Sequence, residues 1–303
     1  MDILDRFRSL FIDDYKMGAE SQTNKSIIYF DPNKFDQKKV IEIMGRTNDL
    51  IVKIQKEYPG IDISDPQKID SLPDKFKKPL LEEVDKLAQM AGDHLDQSVQ
   101  GISQLGTRLK LASILVSGLS DGPYAVRDAL GTNMCLINQP LGDKLDPENI
   151  LKDGLFGFAQ QHGFNPDHFK PLPGNKAVWD RLVGAHEGEH CNQDDLNLEG
   201  LKGDDLTKKT IEGEARSDKA AIKDLIANGN EDVAQAWKDI RIISAVNGDV
   251  THATTLFLDD EKFEGISDDQ LHEIKNIKKR MNDAVAEAMG ETAFKAEDLR
   301  KAD

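Results

Sequence analysis

NKAVWDRLVGAHEGEH, residues 175–190, carries two histidines four positions apart, each beside a glutamate. Asn175 follows the helix-breaking segment PLPG and is a suitable N-cap for a helix that begins after it. Apolar residues and histidines share one inward-facing stripe of that helix, at steps of four, three and four: Trp179, Val183, His186 and His190. The two imidazoles therefore lie one turn apart, where both can bind one cation.

The glutamate beside the first histidine adds chemistry to this pair. Glu187 lies about 100° around the helix axis from His186. From there its carboxylate can reach a water molecule on a metal ion without binding the ion itself. This is the H-E-x-x-H arrangement of zinc hydrolases.

A catalytic zinc site takes three protein ligands, and the next helical segment offers the third. Glu214 and Asp218 occur in EGEARSDKAAI, residues 212–222. They share a helix face with three apolar residues: Ile211, Ala221 and Leu225. Two carboxylates on an inward face need partners, because unpaired buried charge is costly. A metal ion for Glu214 and a ligating imidazole N–H for Asp218 would supply them.

Together the two segments resemble the thermolysin-like gluzincin zinc metallopeptidases, over about residues 176–226. That family combines H-E-x-x-H on one helix with E-x-x-x-D, often E-x-x-S-D, on the next. The resemblance implies a zincin-like catalytic core that cleaves peptide or protein substrates. It implies His186, His190 and Glu214 as ligands of Zn²⁺. It also implies Glu187 as the general base and Asp218 as the acceptor that orients a ligand histidine.

The chain departs from the family pattern at three positions. Glu189 is charged where the family usually has an uncharged residue. Gly188, inside the helix, costs about 1 kcal/mol relative to alanine. Gly213 stands where an asparagine often precedes the ligand glutamate.

Besides zinc-dependent hydrolysis of something other than a peptide, two alternative interpretations remain open. Read as H-x-x-E-H, the same five residues fit the inverted zincins, with Glu189 as the base and Glu261 or Glu264 as third ligand. In the other alternative the protein is a non-catalytic helical interaction protein, in which the metal is absent or only braces two helices. A metal site with an open position favours catalysis, whereas a fourth protein ligand favours bracing.

Zinc hydrolases also need a donor for the oxyanion of the tetrahedral intermediate. His252 is the candidate, because Asn247-Gly248 breaks the preceding helix and Asp249 can cap a new one that returns His252 to the cleft. His162 and His168 are weaker candidates. Cys191 is interpreted as a packing residue, since it points about 100° away from His190.

Elsewhere the chain is predicted to be mainly α with a small β-sheet. Apolar periodicity predicts a helix over 38–57 and one long helix or two over 78–118, with a linker at 65–76 between them. Strands are predicted at 26–30 and 133–140; the second is either buried or an edge to which a peptide substrate adds. Residues 1–110 form a predicted N-terminal helical region, and residues 111–303 the catalytic domain.

Composition excludes some partners. With 55 acidic and 39 basic residues in 303, the net charge is −16, which disfavours nucleic acid and anionic membranes. No apolar run approaches the roughly 20 residues that span a bilayer. The N-terminal residues lack the apolar core of a signal peptide, and two cysteines are too few for a disulfide scaffold. We therefore expect a cytoplasmic zinc metallopeptidase; export by a specialised system would leave no sequence mark.

Overall fold

A computed structural model of the chain describes residues 14–61, 66–92, 112, 124–127, 135–140, 142–152, 171–198, 200–259 and 265–277. These residues are mainly helical and contain one three-stranded sheet, which confirms the predicted class. Among the described residues, the α-helices whose two ends are given are, in chain order, α1 (Asp14–Gln22), α2 (Gln37–Glu57), α3 (Pro66–Asp70), α4 (Asp74–Gly92), α5 (Pro147–Ile150), α6 (Lys176–His190), α7 (Gly203–Ala227) and α8 (Glu231–Asn247). None of the helices in the described ranges combines the length and apolar character that crossing a bilayer requires.

The chain divides into two compact units. One comprises the segments Met1–Asn24 and Asp143–Asp303, and the other comprises Lys25–Gly142. The limits differ from the predicted regions 1–110 and 111–303, because α1 belongs with the helices that carry the H-E-x-x-H motif. The sequence of the second unit is therefore inserted between two segments of the first.

The second unit contains the sheet. Its strands are β1 (Ile27–Phe30), β2 (Tyr124–Val126) and β3 (Cys135–Asn138), in the order β1-β3-β2. β3 runs parallel to β1 and antiparallel to β2, and all four of its residues are buried. The predicted strands at 26–30 and 133–140 are confirmed. Because β3 is paired on both sides, the interpretation of 133–140 as an edge strand for a peptide is wrong.

Helices α2 and α4 pack together in the same unit, and the predicted helix over 38–57 is confirmed as α2. The interpretation of 65–76 as a linker is wrong, because α3 and the start of α4 occupy it. Pro66 is the first residue of α3 and Pro73 directly precedes α4, so both prolines start helices rather than interrupt them. Ile69 is buried in the core of this unit.

The long helix predicted over 78–118 is confirmed only in its first part, as α4. Residues 93–111 and 113–123 lie outside the described residues.

In the first unit, α1 packs unusually closely on α6. A Cβ atom on Gly188 would lie 2.3 Å from the carbonyl oxygen of Ala19, and one on Gly184 would lie 1.9 Å from that of Tyr15. Only glycine allows the two backbones to approach this far. The glycine in the middle of the motif therefore has a packing reason that outweighs its cost in helix propensity.

Candidate metal centre

Helix α6 orients both histidines as its sequence predicts. The side chain of Asn175 accepts a hydrogen bond from the backbone N–H of Val178, which confirms the predicted N-cap. Trp179 is fully buried and its indole N–H donates to the carbonyl oxygen of Pro173 at 2.9 Å. Two and three turns further along the same face, the rings of His186 and His190 meet edge to face, with centroids 4.8 Å apart.

Helix α7 brings the carboxylates to these rings. The apolar residues of the predicted inward face are all buried: Ile211, Ala221 and Leu225. Between them, Asp218 is completely buried, and the side chain of Glu214 is 15% exposed. Both carboxylates therefore lie on the packed face of α7, as the pattern predicts.

The three predicted ligands converge. The Nε2 atoms of His186 and His190 are 3.2 Å apart. Glu214 places Oε2 3.1 Å from Nε2 of His186 and Oε1 3.5 Å from Nε2 of His190. For metal–ligand bonds of about 2.0–2.1 Å, neighbouring ligands of a tetrahedral ion lie about 3.3–3.4 Å apart. Taken with one ligand atom from each residue, the three donors all lie within 4.8 Å of one another, so the group could hold a metal ion.

The polar atoms of the cluster also fit a cation. Oε2 of Glu214 is buried, and no described residue gives it a hydrogen bond. Burial raises the pKa of Glu214, but the facing rings of His186 and His190 outweigh burial and hold the pKa well below its usual range. The carboxylate is thus ionised beside two imidazole nitrogens that face each other, where a metal ion would satisfy all three groups.

Without a metal ion, the surroundings of His186 favour its protonated form. Burial lowers its pKa, but the carboxylates of Asp218 and Glu214 outweigh that effect and raise it to about 10. A metal ion and this proton compete for the same ring, because a ligating imidazole is neutral.

Asp218 lies behind His186, with Oδ1 2.9 Å from Nδ1 of the ring. The contact is an ion-pair distance rather than a well-aligned hydrogen bond, since Nδ1 finds no hydrogen-bond partner among the described residues. Arg241 donates to both carboxylate oxygens of Asp218 at 2.7 and 2.8 Å. Trp237 and Thr254 donate to the same carboxylate at 2.9 and 2.5 Å. Burial raises the pKa of Asp218, but Arg241 and His186 more than offset it and lower the pKa far below the usual range.

Sequence reasoning missed the arginine and the tryptophan of this network. Both continue an inward stripe of α8 that holds Val233 and Ala245. The signal was present, because Arg241 is a charge in the middle of an apolar face, as Asp218 is on α7.

The base candidates differ in their surroundings. Glu187 is 6% exposed, and burial raises its pKa, while the nearby rings of His186 and His190 act in the opposite direction. Glu189 is partly exposed and its carboxylate accepts from the side chain of Asn192 at 3.3 Å. The third ligands of the inverted interpretation, Glu261 and Glu264, lie outside the described residues.

His252 reaches the cluster from the segment after α8. Its Nε2 lies 3.6 Å from Oε2 of Glu214, and its side chain is 40% exposed. The predicted helix capped by Asp249 is wrong: α8 ends at Asn247, Gly248 adopts a left-handed conformation, and a turn follows. Asp249 instead binds the ring, with Oδ2 2.7 Å from Nδ1 of His252. His162 and His168 lie outside the described residues.

The cysteines are not free thiols. Cys135 and Cys191 are both disulfide-bonded, so the interpretation of Cys191 as a packing residue is incomplete. Disulfides persist mainly in oxidising compartments, which weighs against the cytoplasmic location predicted from the sequence.

Comparison with known proteins adds nothing to this geometry: no known protein family, curated protein or solved structure matches the chain.

Proposed function

We propose that this protein is a zinc metallopeptidase with a zincin-like core built on α6 and α7. The observation that carries the proposal is the convergence of His186, His190 and Glu214, whose candidate ligand atoms lie within 4.8 Å of one another, with a buried glutamate next to the first histidine. Zinc bound there would lower the pKa of water and polarise a scissile carbonyl group.

In this proposal each residue of the site has one task. His186, His190 and Glu214 hold the ion, and Asp218 orients His186. Glu187 takes the proton of the attacking water and passes it to the leaving amine. Its burial favours this exchange, because a carboxyl group whose pKa is raised both accepts and returns a proton more readily near neutral pH.

His252 donates a hydrogen bond to the oxyanion of the tetrahedral intermediate. In the imidazolium form both ring nitrogens donate: Nδ1 to the carboxylate of Asp249, which supports this role, and Nε2, which faces the cluster, to the oxyanion. The partial exposure of the ring leaves room for a substrate beside it.

The first experiment compares Glu187→Gln with Glu189→Gln. Both keep shape and leave the three ligands in place, so both proteins should bind zinc and melt like the unmodified protein. We expect Glu187→Gln to cleave a mixed peptide library about 10²–10⁴-fold more slowly, and Glu189→Gln to cleave it normally. The opposite pattern would support the inverted zincin. Zinc binding with unchanged cleavage in Glu187→Gln would remove the proposed mechanism.

A structural metal site is the second candidate function, and the position of His252 favours it. At 3.6 Å from Oε2 of Glu214, Nε2 is near enough to act as a fourth ligand after a small shift. The chain would then be a helical interaction protein braced by its metal. His252→Phe separates the two candidates, because a lost ligand weakens zinc binding, whereas a lost oxyanion donor slows cleavage and leaves zinc bound.

The cytoplasmic location stays a prediction, and the disulfide-bonded cysteines favour an oxidising compartment instead. Alkylation of protein taken directly from cells would separate these alternatives. Modification of Cys135 and Cys191 without prior reduction indicates a reducing compartment, and modification only after reduction indicates an oxidising one.

A further inference from the structure

A buried glutamine supports the second histidine of the motif. Gln193 lies in the turn after α6 and is 2% exposed. Its Oε1 is 3.1 Å from Nδ1 of His190. Its Nε2 donates to the carbonyl oxygen of Gly213 at 2.9 Å and to the hydroxyl oxygen of Ser217 at 3.0 Å. One side chain thus links the end of α6 to the middle of α7.

These partners fix the orientation of the amide. The carbonyl oxygen of Gly213 can only accept a hydrogen bond, so the NH₂ group of Gln193 must face it. Oε1 then faces His190, and as an acceptor it requires that Nδ1 carry the proton. The neutral ring is therefore held in the tautomer whose Nε2 lone pair points at His186 and Glu214.

Gly213 provides the space for this contact. A Cβ atom at this position would lie 3.0 Å from Oε1 of Gln193 and 3.3 Å from Cδ1 of Leu196. Either the glutamine or the leucine would have to move for a larger residue. The glycine that departs from the gluzincin pattern is thus matched to a glutamine supplied by the neighbouring turn.

We propose that Gln193 is a positioning residue that selects the metal-binding tautomer of His190, seated by Gly213 and Ser217. The inference rests on the proposed metal site, where Nε2 of His190 is a ligand. It concerns the ring itself, however, and so it can be measured in the protein without metal.

The test replaces the amide with a side chain of similar length that cannot hydrogen-bond, Gln193→Met. In metal-free protein labelled with ¹⁵N-histidine, at a pH where the ring is neutral, we expect His190 to hold its proton on Nδ1. In Gln193→Met the proton should divide between the two nitrogens. Zinc affinity, measured by competition with a chromophoric chelator, should fall about 10–100-fold. Gln235→Met makes the same change at an exposed position of α8 and should alter neither result.

A second variant distinguishes loss of the contact between Gln193 and His190 from a general loss of folding. Gly213→Ala raises helix propensity in α7, yet its methyl group crowds Oε1 of Gln193. We expect a mixed tautomer and weaker zinc binding from a protein that melts no lower than the parent.

The outcomes separate the inference from the proposed function. A parent protein that binds no zinc, but whose Nδ1 proton is lost in Gln193→Met, would refute the metal site and support the positioning role. A folded Gln193→Met or Gly213→Ala protein that keeps the Nδ1–H tautomer would overturn the inference, whatever its zinc affinity.

Discussion

The two histidines of the motif are held by different chemistry. Behind His186 lies a buried ion pair, in which Asp218 accepts two hydrogen bonds from Arg241. Behind His190 lies a neutral amide, that of Gln193. The first support comes from α7 and α8 and carries charge; the second comes from a turn and carries none. A ring held by charge gains affinity for protons as well as for a metal, whereas a ring held by an amide has only its tautomer fixed.

Substitution of Arg241 removes the charged support of His186 and should have the largest effect on the protein. Arg241→Met leaves the carboxylate of Asp218 buried without its main cation, so we expect the free energy of unfolding to fall by about 3–5 kcal/mol. Urea denaturation of the metal-free protein measures this change. Arg216→Met is the matched control, because Arg216 pairs with Asp195, whose side chain is 67% exposed. It should cost at most about 1 kcal/mol. Equal losses in the two variants would contradict the charged support.

The charged support also predicts a pH dependence of the metal-free protein. The pKa of His186 is raised from 6.5 to about 10 in the folded chain, so the stability it contributes is complete below pH 6.5. That contribution is lost as the pH rises through about 10. Between pH 7 and 9 the free energy of unfolding should therefore decrease by about 2–3 kcal/mol.

Two controls assign this slope to His186. Zinc-loaded protein should lack it, because the ligating ring is already neutral. Asp218→Asn should reduce it, since it removes one of the carboxylates that raise the pKa. Stability that is constant from pH 7 to 9 in metal-free protein would show that His186 is not held in its charged form.

The smallest expected effect is the coupling between the two supports. Asp218→Asn and Gln193→Met should each weaken zinc binding about 10–100-fold. Because they act on different rings from different elements, their costs should add to within about 0.5 kcal/mol in the double variant. A double variant no weaker than either single variant would mean that the two supports act as one unit.

The sequence predicted the helices of the site well, because their signal is periodic. Charged residues in the middle of apolar faces identified Glu214 and Asp218, and the same rule applied to α8 would have found Arg241. Gln193 had no such signal, since a turn has no periodicity and a glutamine carries no charge. Its role depends on two segments that meet only in the fold.

The predictions for the rest of the fold were wrong where a local sequence pattern fits two different structures. Pro66 and Pro73 indicated a linker but stand at helix starts. Asp249 resembled a helix cap but binds the ring of His252 from within a turn. β2 was missed because three residues are too few to display the alternation of a strand.

The close packing of α1 on α6 has a consequence for the order in which the chain folds. Roughly 150 residues separate the end of α1 at Gln22 from the start of α6 at Lys176. On the ribosome, about 10–30 seconds therefore pass between the synthesis of α1 and that of α6. The inserted unit, Lys25–Gly142, is complete well before that time. Gly184 and Gly188 of α6 thus pack against a helix that is synthesised long before α6. The helix that carries the two histidines can therefore pack on α1 only late in synthesis.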